Sequence, residues 1–199
     1  MHTDRKKLLS YLLLSAGMVL ISLGSRTLFE SHFGQTAAAR EFRPASPIAP
    51  VSAAAWKRPR RGATLGKLTI PRLDTQIYVV EGDGTRELRR GPGHLAESAM
   101  PGANGNCVIA GHRDTHFRVL KDIRKGDDIV VQTDDGQFLY RVNSTSVVSP
   151  SDTRALQPKL GAVLSLVTCY PFYYVGSAPK RFVVEATLAG DVVEPSGQK

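Results

Sequence analysis

The residue best suited to carry out chemistry in this chain is Cys169, which ends the apolar, β-branched run 165–169. Pro171 follows two residues later and is expected to end the strand, so the thiol is predicted to lie at the edge of a sheet. His112 closes an earlier run of the same kind, and Arg181 opens a later one. Cysteine, histidine and arginine at three strand ends are typical of acyl transfer.

Each of these residue types has a distinct use in that chemistry. A cysteine thiolate attacks a peptide carbonyl and forms a thioester, which predicts Cys169 as the nucleophile. An imidazole protonates the departing amine and later deprotonates the incoming one, which predicts His112 as general acid and base. A guanidinium keeps its charge and stabilises an oxyanion, so Arg181 is predicted to do this or to position the substrate.

The motif Ser-Leu-Val-Thr-Cys at 165–169, with its upstream histidine and downstream arginine, resembles the signature of the sortases. These are membrane-anchored cysteine transpeptidases whose signature reads Thr-Leu-x-Thr-Cys, so serine here takes the first place and the nucleophile is unchanged. The words at 91–94, 110–115 and 169–176 resemble most the class D branch and its proteobacterial relatives. The resemblance extends over residues 65–188.

The resemblance implies a mainly β fold, a closed eight-stranded barrel with short helices. It also implies an activity: cleavage of a protein substrate at a C-terminal sorting signal of Leu-Pro-x-Thr-Gly type, with transfer of the acyl group to an amine of the cell wall or of a protein. The pattern of the residues alone does not separate a barrel from a sandwich. It predicts strands at 65–70, 75–80, 128–133 and 137–142, with a hairpin turn at 134–136.

Short helices are predicted at 85–90, 117–123 and 151–156, the last with Ser151 as its cap. Alternation along the last long strand places Arg181 on the face opposite Phe182 and Val184. The same alternation separates Cys169 from Leu164 and Leu166 and gives the thiol a less bulky face.

The front of the chain predicts a single membrane span. Basic residues end a cytoplasmic N-terminus at 1–7, and the uncharged run 8–25 is about eighteen residues, or roughly 27 Å as a helix. A cleaved signal peptide is the alternative reading, since 37–39 are small residues, but they lie well beyond the apolar run and cleavage normally follows such a run closely. The basic cluster keeps the N-terminus inside, so the rest of the chain is expected to be extracytoplasmic.

Residues 26–63 are rich in Ala, Pro and Arg, which predicts an extended stalk before a catalytic domain at 64–190 and a flexible tail at 191–199. The net charge of +8 is concentrated at the front, because residues 1–63 hold ten Lys and Arg against three Asp and Glu. The remaining residues hold sixteen against fifteen, so no nucleic-acid partner is expected. The basic run 57–61 is either solvated or in contact with anionic membrane lipid or a polyanionic polymer.

Three further residues are predicted as possible supports of the site. Asp114 either orients His112 or is a solvent-facing loop residue, Thr168 precedes the nucleophile, and His94 in a Gly-Pro-Gly-His turn is expected near the site. His116 follows His112 by four residues, a zinc spacing on helices, but the stretch between them does not read as a helix and no third ligand is evident.

No cofactor and no metal site are therefore predicted. Four aspartates, at 127, 128, 134 and 135, are of the kind that bind calcium in some sortases, but two of them form a hairpin turn and the set is read as structural.

The second cysteine, Cys107, lies inside an apolar run and is predicted to pack in the core. A disulfide between Cys107 and Cys169 is nearly incompatible with a Cys169–His112 pair. Cys107 is five strand residues before His112, about 16 Å away, whereas disulfides need Cα separations below about 7 Å.

Two other functions fit part of the pattern. An L,D-transpeptidase would have a histidine two residues before its cysteine in a Ser/Thr-His-Gly-Cys word, and this chain has Val167 and Thr168 instead. A tethered, non-catalytic β-module that binds extended peptides would leave Cys169 unreactive and tolerate loss of Arg181.

Overall fold

A computed structural model describes residues 2–43, 58–174 and 176–191, with side chains described for these except at 2–6, 8–10, 23–24, 26–28, 31 and 190–191. The chain begins with a long helix and continues into a sheet that closes on itself. The helices are α1 (His2–Glu41) and α2 (Thr85–Arg90). The strands are β1 (Thr64–Ile70), β2 (Thr75–Glu81), β3 (Gly93–His94), β4 (Gly105–Gly111), β5 (Asp128–Thr133), β6 (Gln137–Val148), β7 (Ala162–Tyr170) and β8 (Lys180–Asp191).

The eight strands form a closed barrel in the order β1-β2-β3-β4-β7-β8-β6-β5. Most neighbours are antiparallel, but β2 with β3 and β4 with β7 run parallel. Closure leaves no strand with an unpaired edge, which removes the edges that an open sheet must protect. The predicted mainly β, eight-stranded barrel is confirmed.

Alternating side chains fill the barrel interior. Strand β5 shows the pattern clearly, because Ile129 and Val131 are fully buried while Val130 between them is partly exposed. The largest side chains buried there are Tyr140, Phe117 and Phe138, and the Tyr140 hydroxyl accepts a hydrogen bond from the Gly102 amide at 2.6 Å. The core is thus a packed apolar interior with few polar atoms to satisfy.

The predicted strands at 65–70, 75–80, 128–133 and 137–142 all form, and Gln132 pairs with Gln137 across the predicted hairpin turn. Two strands differ from the sequence pattern. Strand β6 continues to Val148 with a register shift between Val142 and Ser144, and β3 occupies part of the predicted Gly-Pro-Gly-His turn.

Two of the three predicted short helices differ in type and length from the pattern. Helix α2 has the predicted bounds, whereas His116–Asp122 and Arg154–Leu156 are 3₁₀ helices. The prediction that Ser151 caps the last of them is wrong. That helix follows Thr153, which makes no side-chain cap bond, and the Ser151 hydroxyl lies 2.9 Å from that of Ser149.

Helix α1 is 40 residues long and contains the predicted span at 8–25. Within the residues that the structure describes, no helix combines the length and apolarity needed to cross a membrane. The side chains at 8–10, 23 and 24 lie outside that description. The first part of the predicted stalk, up to Glu41, continues α1 as a helix, and this part is rich in alanine, the residue with the highest helix propensity. The rest of the predicted stalk at 44–57 and the tail at 192–199 lie outside the described residues.

Candidate active site

Three neighbouring strands bring the three predicted catalytic residues to one end of the barrel. Strand β7 lies between β4 and β8. Cys169 is the direct Cα partner of Arg181 on β8, and Thr168 is the partner of Gly111 on β4. His112 follows Gly111, which puts it level with Cys169 on the other side of β7. Neighbouring strands are about 4.8 Å apart, so all three residues lie within side-chain reach of a common point.

Cys169 and Arg181 both point away from the barrel interior. The core takes Leu164 and Leu166 from β7 and Val184 and Ala186 from β8. Because side chains alternate along a strand, the odd-numbered Cys169 is on the outer face. The same alternation puts Arg181 on that face, as the sequence predicted, and the nucleophile therefore faces a surface that a substrate can reach.

The two cysteines are both free and have opposite surroundings. Cys169 is half-buried, and its sulfur has no hydrogen-bond partner among the described residues. Cys107 is 1% exposed in the barrel core. Its burial, reinforced by the charge of Glu81, raises the pKa of the Cys107 thiol far above its ordinary value. Cys107 is thus held as an unreactive thiol, whereas Cys169 is accessible.

His112 lies at the start of a loop that leads into the 3₁₀ helix at His116–Asp122. Its side chain is exposed, its ring nitrogens have no hydrogen-bond partner in the described part of the chain, and its carbonyl accepts a bond from the Phe117 amide. Asp114 is exposed on the same loop. Burial, and after it the charge of His112, lower the pKa of His116 to about 4, while Asp114 opposes the shift. His112 is therefore the freely orientable imidazole of this loop.

The guanidinium of Arg181 is held by backbone oxygens next to it. Its Nη1 donates to the carbonyls of Lys180 at 3.1 Å and Ala178 at 3.4 Å. These are weak bonds on one nitrogen, and no carboxylate pairs with Arg181 among the described residues. The other N–H groups remain available for an oxyanion or a substrate carbonyl.

A shallow groove runs from Arg181 along the outer face of the sheet. Its floor is formed by Val167 and Val183, and its wall by the connection between β6 and β7, residues 149–161, called here the cover segment. The groove is about 90 Å³ and mostly apolar, with Leu156 on its wall. It is continuous at Asp152 and Val183 with a larger hollow of about 350 Å³ that Arg154 and Glu185 line.

A small polar network fastens the cover segment to the sheet. Asn106 donates from its amide to the carbonyls of Ala155 at 2.8 Å and Gln157 at 2.9 Å. The buried Ser165 hydroxyl donates to Asn106 Oδ1 at 2.8 Å. Lys159 completes the set by a hydrogen-bonded ion pair with Glu185. The cover segment is thus fixed by outward-facing polar residues of β4, β7 and β8.

Sequence reasoning missed this network. Ser165 was noted only as a departure from a signature, and Asn106 was not singled out. The available signal was two polar residues within apolar strands, which need partners when they are buried.

Thr168 and His94 have structural partners. The buried Thr168 hydroxyl donates to the Gly111 carbonyl at 2.7 Å and ties β7 to β4 beside the candidate site. His94 is fully buried, with Nδ1 2.8 Å from Glu81 Oε2 and Nε2 2.9 Å from the Ala99 carbonyl. Its strand partner is Ile109, three positions before His112. His94 thus has both ring nitrogens bonded inside the fold.

The loop after Cys169 is tied to the loop after His112. The Arg113 guanidinium donates to the carbonyls of Tyr174 at 2.9 Å and Gly176 at 3.0 Å, and it lies over the Tyr174 ring. Arg118 similarly lies 5.1 Å from the centre of the Tyr173 ring. These contacts hold the exposed ends of β4 and β7 together.

The aspartates considered for calcium are used elsewhere. Asp127 accepts a hydrogen bond from Arg72 on each of its carboxylate oxygens. These bonds, together with one from the Arg124 amide, hold the pKa of the Asp127 carboxyl below its usual range although its burial acts in the opposite direction. Asp128 pairs with Arg141, and Asp134 and Asp135 lie at the hairpin turn. Among the residues with described side chains, no three metal-ligating groups come together.

Comparison with known proteins gives consistent similarities. The Sortase domain family profile matches residues 68–189. The chain is similar to Sortase D of Bacillus subtilis, with 32% identity over 193 residues that cover 90% of this chain and 96% of that protein. It is also similar to Sortase SrtE1 of Streptomyces coelicolor, with 39% identity over 129 residues, 55% of this chain and 37% of the relative.

Solved structures give the same likeness. A Clostridium perfringens Sortase D5 transpeptidase superposes with a TM-score of 0.61 and 32% identity, covering 67% of this chain and 83% of that one. Sortase E1 from Streptomyces coelicolor, solved with a tripeptide in the active site, has a TM-score of 0.58 and 33% identity and covers 65% of this chain and 90% of that one.

Proposed function

The chain belongs to the sortase family of cysteine transpeptidases, and from that premise we propose that Cys169 is its nucleophile, His112 its general acid and base, and Arg181 its oxyanion-binding residue. The observation that carries the proposal is the strand register. Cys169 pairs directly with Arg181, and Thr168 pairs with Gly111, the residue before His112. Three residues from distant parts of the sequence are therefore adjacent at one exposed end of the barrel.

The proposed reaction proceeds in two halves. The Cys169 thiolate adds to a peptide carbonyl, and the C–N bond breaks as His112 gives a proton to the departing amine, which leaves a thioester. An incoming amine then adds to the thioester carbonyl, His112 takes its proton, and the C–S bond breaks to release a new amide and the thiolate. Each half passes through an oxyanion, and Arg181 on the same outer face donates to it.

The substrate is proposed to be an extended peptide carrying a C-terminal sorting signal of Leu-Pro-x-Thr-Gly type, and the acceptor an amine of the cell wall or of a protein. The apolar groove beside Arg181 supports this, because Val167, Val183 and Leu156 suit aliphatic side chains of such a peptide. The tripeptide in the active site of the similar Streptomyces enzyme also supports binding of a short peptide here.

We further propose that the run 8–25 anchors the chain in a membrane, with residues 1–7 cytoplasmic and the barrel extracytoplasmic. Support comes from α1, on which Tyr11, Leu12, Leu13 and Leu14 are each more than half exposed, as are Met18 to Ile21. Apolar side chains exposed on consecutive residues cover every side of a helix, and such a helix needs an apolar environment around it.

The decisive experiment uses intact-protein mass spectrometry. The full chain in detergent is incubated with a Leu-Pro-x-Thr-Gly peptide library and a small amine, beside the variants Cys169→Ala and Cys107→Ala. We expect an acyl adduct and an amine-capped peptide with wild type and Cys107→Ala, and neither with Cys169→Ala. An adduct on Cys169→Ala would refute the assigned nucleophile. An unmodified wild type whose Cys169 still alkylates readily would refute the assumed substrate instead.

A further inference from the structure

A second concave surface lies between α1 and α2, and its residues precede those of the candidate active site in the sequence. It is an open groove of about 580 Å³, called here the α1–α2 groove, and its walls include Phe29 and Phe33 from α1 and Arg86, Arg89 and Arg90 from α2. None of these residues belongs to the proposed catalytic machinery.

The groove has a fixed shape because α1 is docked on the barrel. Gln35 is the central clamp: its Nε2 donates to the carbonyls of Tyr78 and Arg90, both at 3.0 Å, and its Oε1 accepts from the Tyr78 amide at 2.7 Å. Ala38 is fully buried, and a Cβ at Gly34 would lie 2.6 Å from the Arg90 backbone. The C-terminal part of α1 therefore cannot turn or tilt freely relative to the barrel.

The groove combines two exposed aromatic rings with one arginine that has no partner among the described residues and one that is only loosely paired. Phe29 and Phe33 are 62% and 53% exposed, with ring centres 4.1 Å apart. Arg86 is exposed and forms no hydrogen bond or ion pair with the described residues. Arg89 reaches Glu30 only at 3.6 Å, while Arg90 is tied to the Gly62 carbonyl and Glu41. With Glu30 and Glu41 counted against the three arginines, the groove keeps an excess of one positive charge, on Arg86, so an anion is the complementary ligand.

The position of the groove along α1 suggests where that anion comes from. At 1.5 Å per residue, Phe29 is about 6 Å and Phe33 about 12 Å beyond residue 25, the end of the proposed span. The polar layer on each side of a bilayer is about 5–8 Å thick. The two rings and the arginines opposite them are thus at the height of the lipid headgroups and just above them.

We propose that the α1–α2 groove binds the phosphate headgroup of an anionic phospholipid and so holds the barrel at a fixed height and orientation on the membrane. Arg86 and Arg89 contact the phosphate, and Phe29, the ring nearer the span, lies towards the boundary with the acyl chains. The rings favour a lipid over a soluble polyanion, because a purely ionic partner leaves their exposed surface in water. The proposal rests on the proposed membrane anchor.

The test uses the full chain in vesicles and a single fluorescent reporter. Phe29→Trp is combined with Trp56→Phe, and quenching is measured with brominated phosphatidylglycerol or brominated phosphatidylcholine at the same mole fraction. We expect quenching by the brominated anionic lipid to be at least about twofold greater, because each arginine near the surface attracts anionic lipid. The preference should be lost in Arg86→Gln/Arg89→Gln. It should be retained in the charge-matched control Arg124→Gln/Arg141→Gln, which changes exposed residues elsewhere on the barrel.

Loss of the Arg89–Glu30 pair can also loosen α1, so the single variant Arg86→Gln, which breaks no ion pair, is measured alongside and should reduce the preference. Equal quenching by the two lipids in wild type, or an unchanged preference in Arg86→Gln/Arg89→Gln, overturns the proposal. The proposal is also overturned if soluble polyphosphate abolishes the quenching preference and anionic vesicles do not prevent the polyphosphate from binding in the groove. That result would assign the groove to a soluble polymer.

The anchor is tested separately by flotation with vesicles of phosphatidylcholine alone in high salt, where arginine contacts contribute little. If the protein floats but shows no quenching preference, the membrane anchor is supported and lipid binding in the groove is refuted. If the protein does not float, the anchor is refuted. A lipid preference that depends on Arg86 would then show that the groove binds lipid as a peripheral site.

Discussion

His94 ends strand β3 and His112 directly follows the neighbouring strand β4. Each comes after a glycine, yet their surroundings differ in almost every respect. His94 is fully buried, and its ring nitrogens lie within 3.0 Å of Glu81, Ala99 and Ser98. His112 is exposed, and its ring has no hydrogen-bond partner in the described structure. A satisfied network resists change, whereas a free imidazole can exchange protons with a bound substrate.

The same contrast separates the two cysteines. Cys107 packs inside β4 with a thiol pKa raised by burial, and Cys169 lies on the outer face at the end of β7. The barrel therefore buries His94 and Cys107 in its interior and leaves His112 and Cys169, the pair proposed for chemistry, exposed or half-buried. Residue type alone does not distinguish the two pairs, but position along a strand does.

The largest effect that this comparison predicts is on the cysteines. Cys169→Ala should lower transpeptidation by about 10⁴-fold or more, because no other group can form the thioester. Cys107→Ala should leave kcat unchanged and cost about 1 kcal/mol of unfolding free energy through lost packing. Amine-transfer kinetics and urea denaturation measure the two effects. The contrast fails if Cys107→Ala reduces kcat as strongly as Cys169→Ala.

The histidines should divide in the same way. His112→Gln is expected to reduce kcat by about 10²- to 10⁴-fold with little change in stability, because its proton transfer is lost. His94→Gln should instead destabilise the fold by about 3 kcal/mol, since it leaves the buried Glu81 without its partner. Single-turnover rates and thermal unfolding of both variants provide the readouts. A His112 variant that loses stability but keeps its rate would reverse the assignment.

Arg181→Ala should reduce kcat by about 10²- to 10³-fold, the usual loss when one oxyanion donor is removed. Arg181→Lys keeps the charge but not the fork of N–H groups, so it should recover only part of the rate. The charge-matched control is Arg154→Lys, because Arg154 lines the neighbouring hollow and pairs with Asp152. Full activity of Arg181→Lys would show that charge alone suffices and that donor geometry is not required.

The cover segment should be sensitive to Asn106. Asn106→Ala removes the two bonds that hold the Ala155 and Gln157 carbonyls, and KM for peptide is expected to rise by about tenfold while kcat falls less. Each lost hydrogen bond should cost about 1 kcal/mol of unfolding free energy. Asn143→Ala is the control, because Asn143 accepts only an exposed bond from Thr187. An unchanged KM would show that the cover segment does not contribute to peptide binding.

A structural feature of this protein can be predicted from the sequence when the residues that form it are close together along the chain. Strands such as β5 were predicted because β-branched composition and a hairpin turn are local signals, and Cys169, His112 and Arg181 were predicted as the site because each lies at an end of an apolar run. Strand β3 has two residues and carries no such pattern. The Asn106–Ser165 contact joins residues 59 positions apart, and only the parallel pairing of β4 and β7 brings them together.

Helix α1 combines a part that the sequence indicates with a part that it does not. Its apolar run and alanine-rich continuation are local signals, but its docking depends on Gln35, which meets the backbone of Tyr78 and Arg90 more than forty residues away. The composition of residues 26–63 predicted an extended stalk, and although the alanines at 37–39 favour a helix, nothing in the composition indicated that this helix packs on the barrel. Long-range polar contacts of this kind have no local signature in the sequence.

The smallest expected effect concerns His116, whose pKa is lowered to about 4 by burial and then by the charge of His112. Between about pH 4 and 6.5 the unfolded chain binds a proton at this residue and the folded chain does not. His116 should therefore contribute stability that is fully present above about pH 6.5 and is lost as the pH falls towards 4. Urea denaturation across this range should give a shallower pH dependence for His116→Gln, whereas the exposed control His32→Gln should follow wild type. Parallel curves for wild type and His116→Gln would mean that the fold tolerates a charged His116, and the loop after His112 would then be less closely packed than its burial indicates.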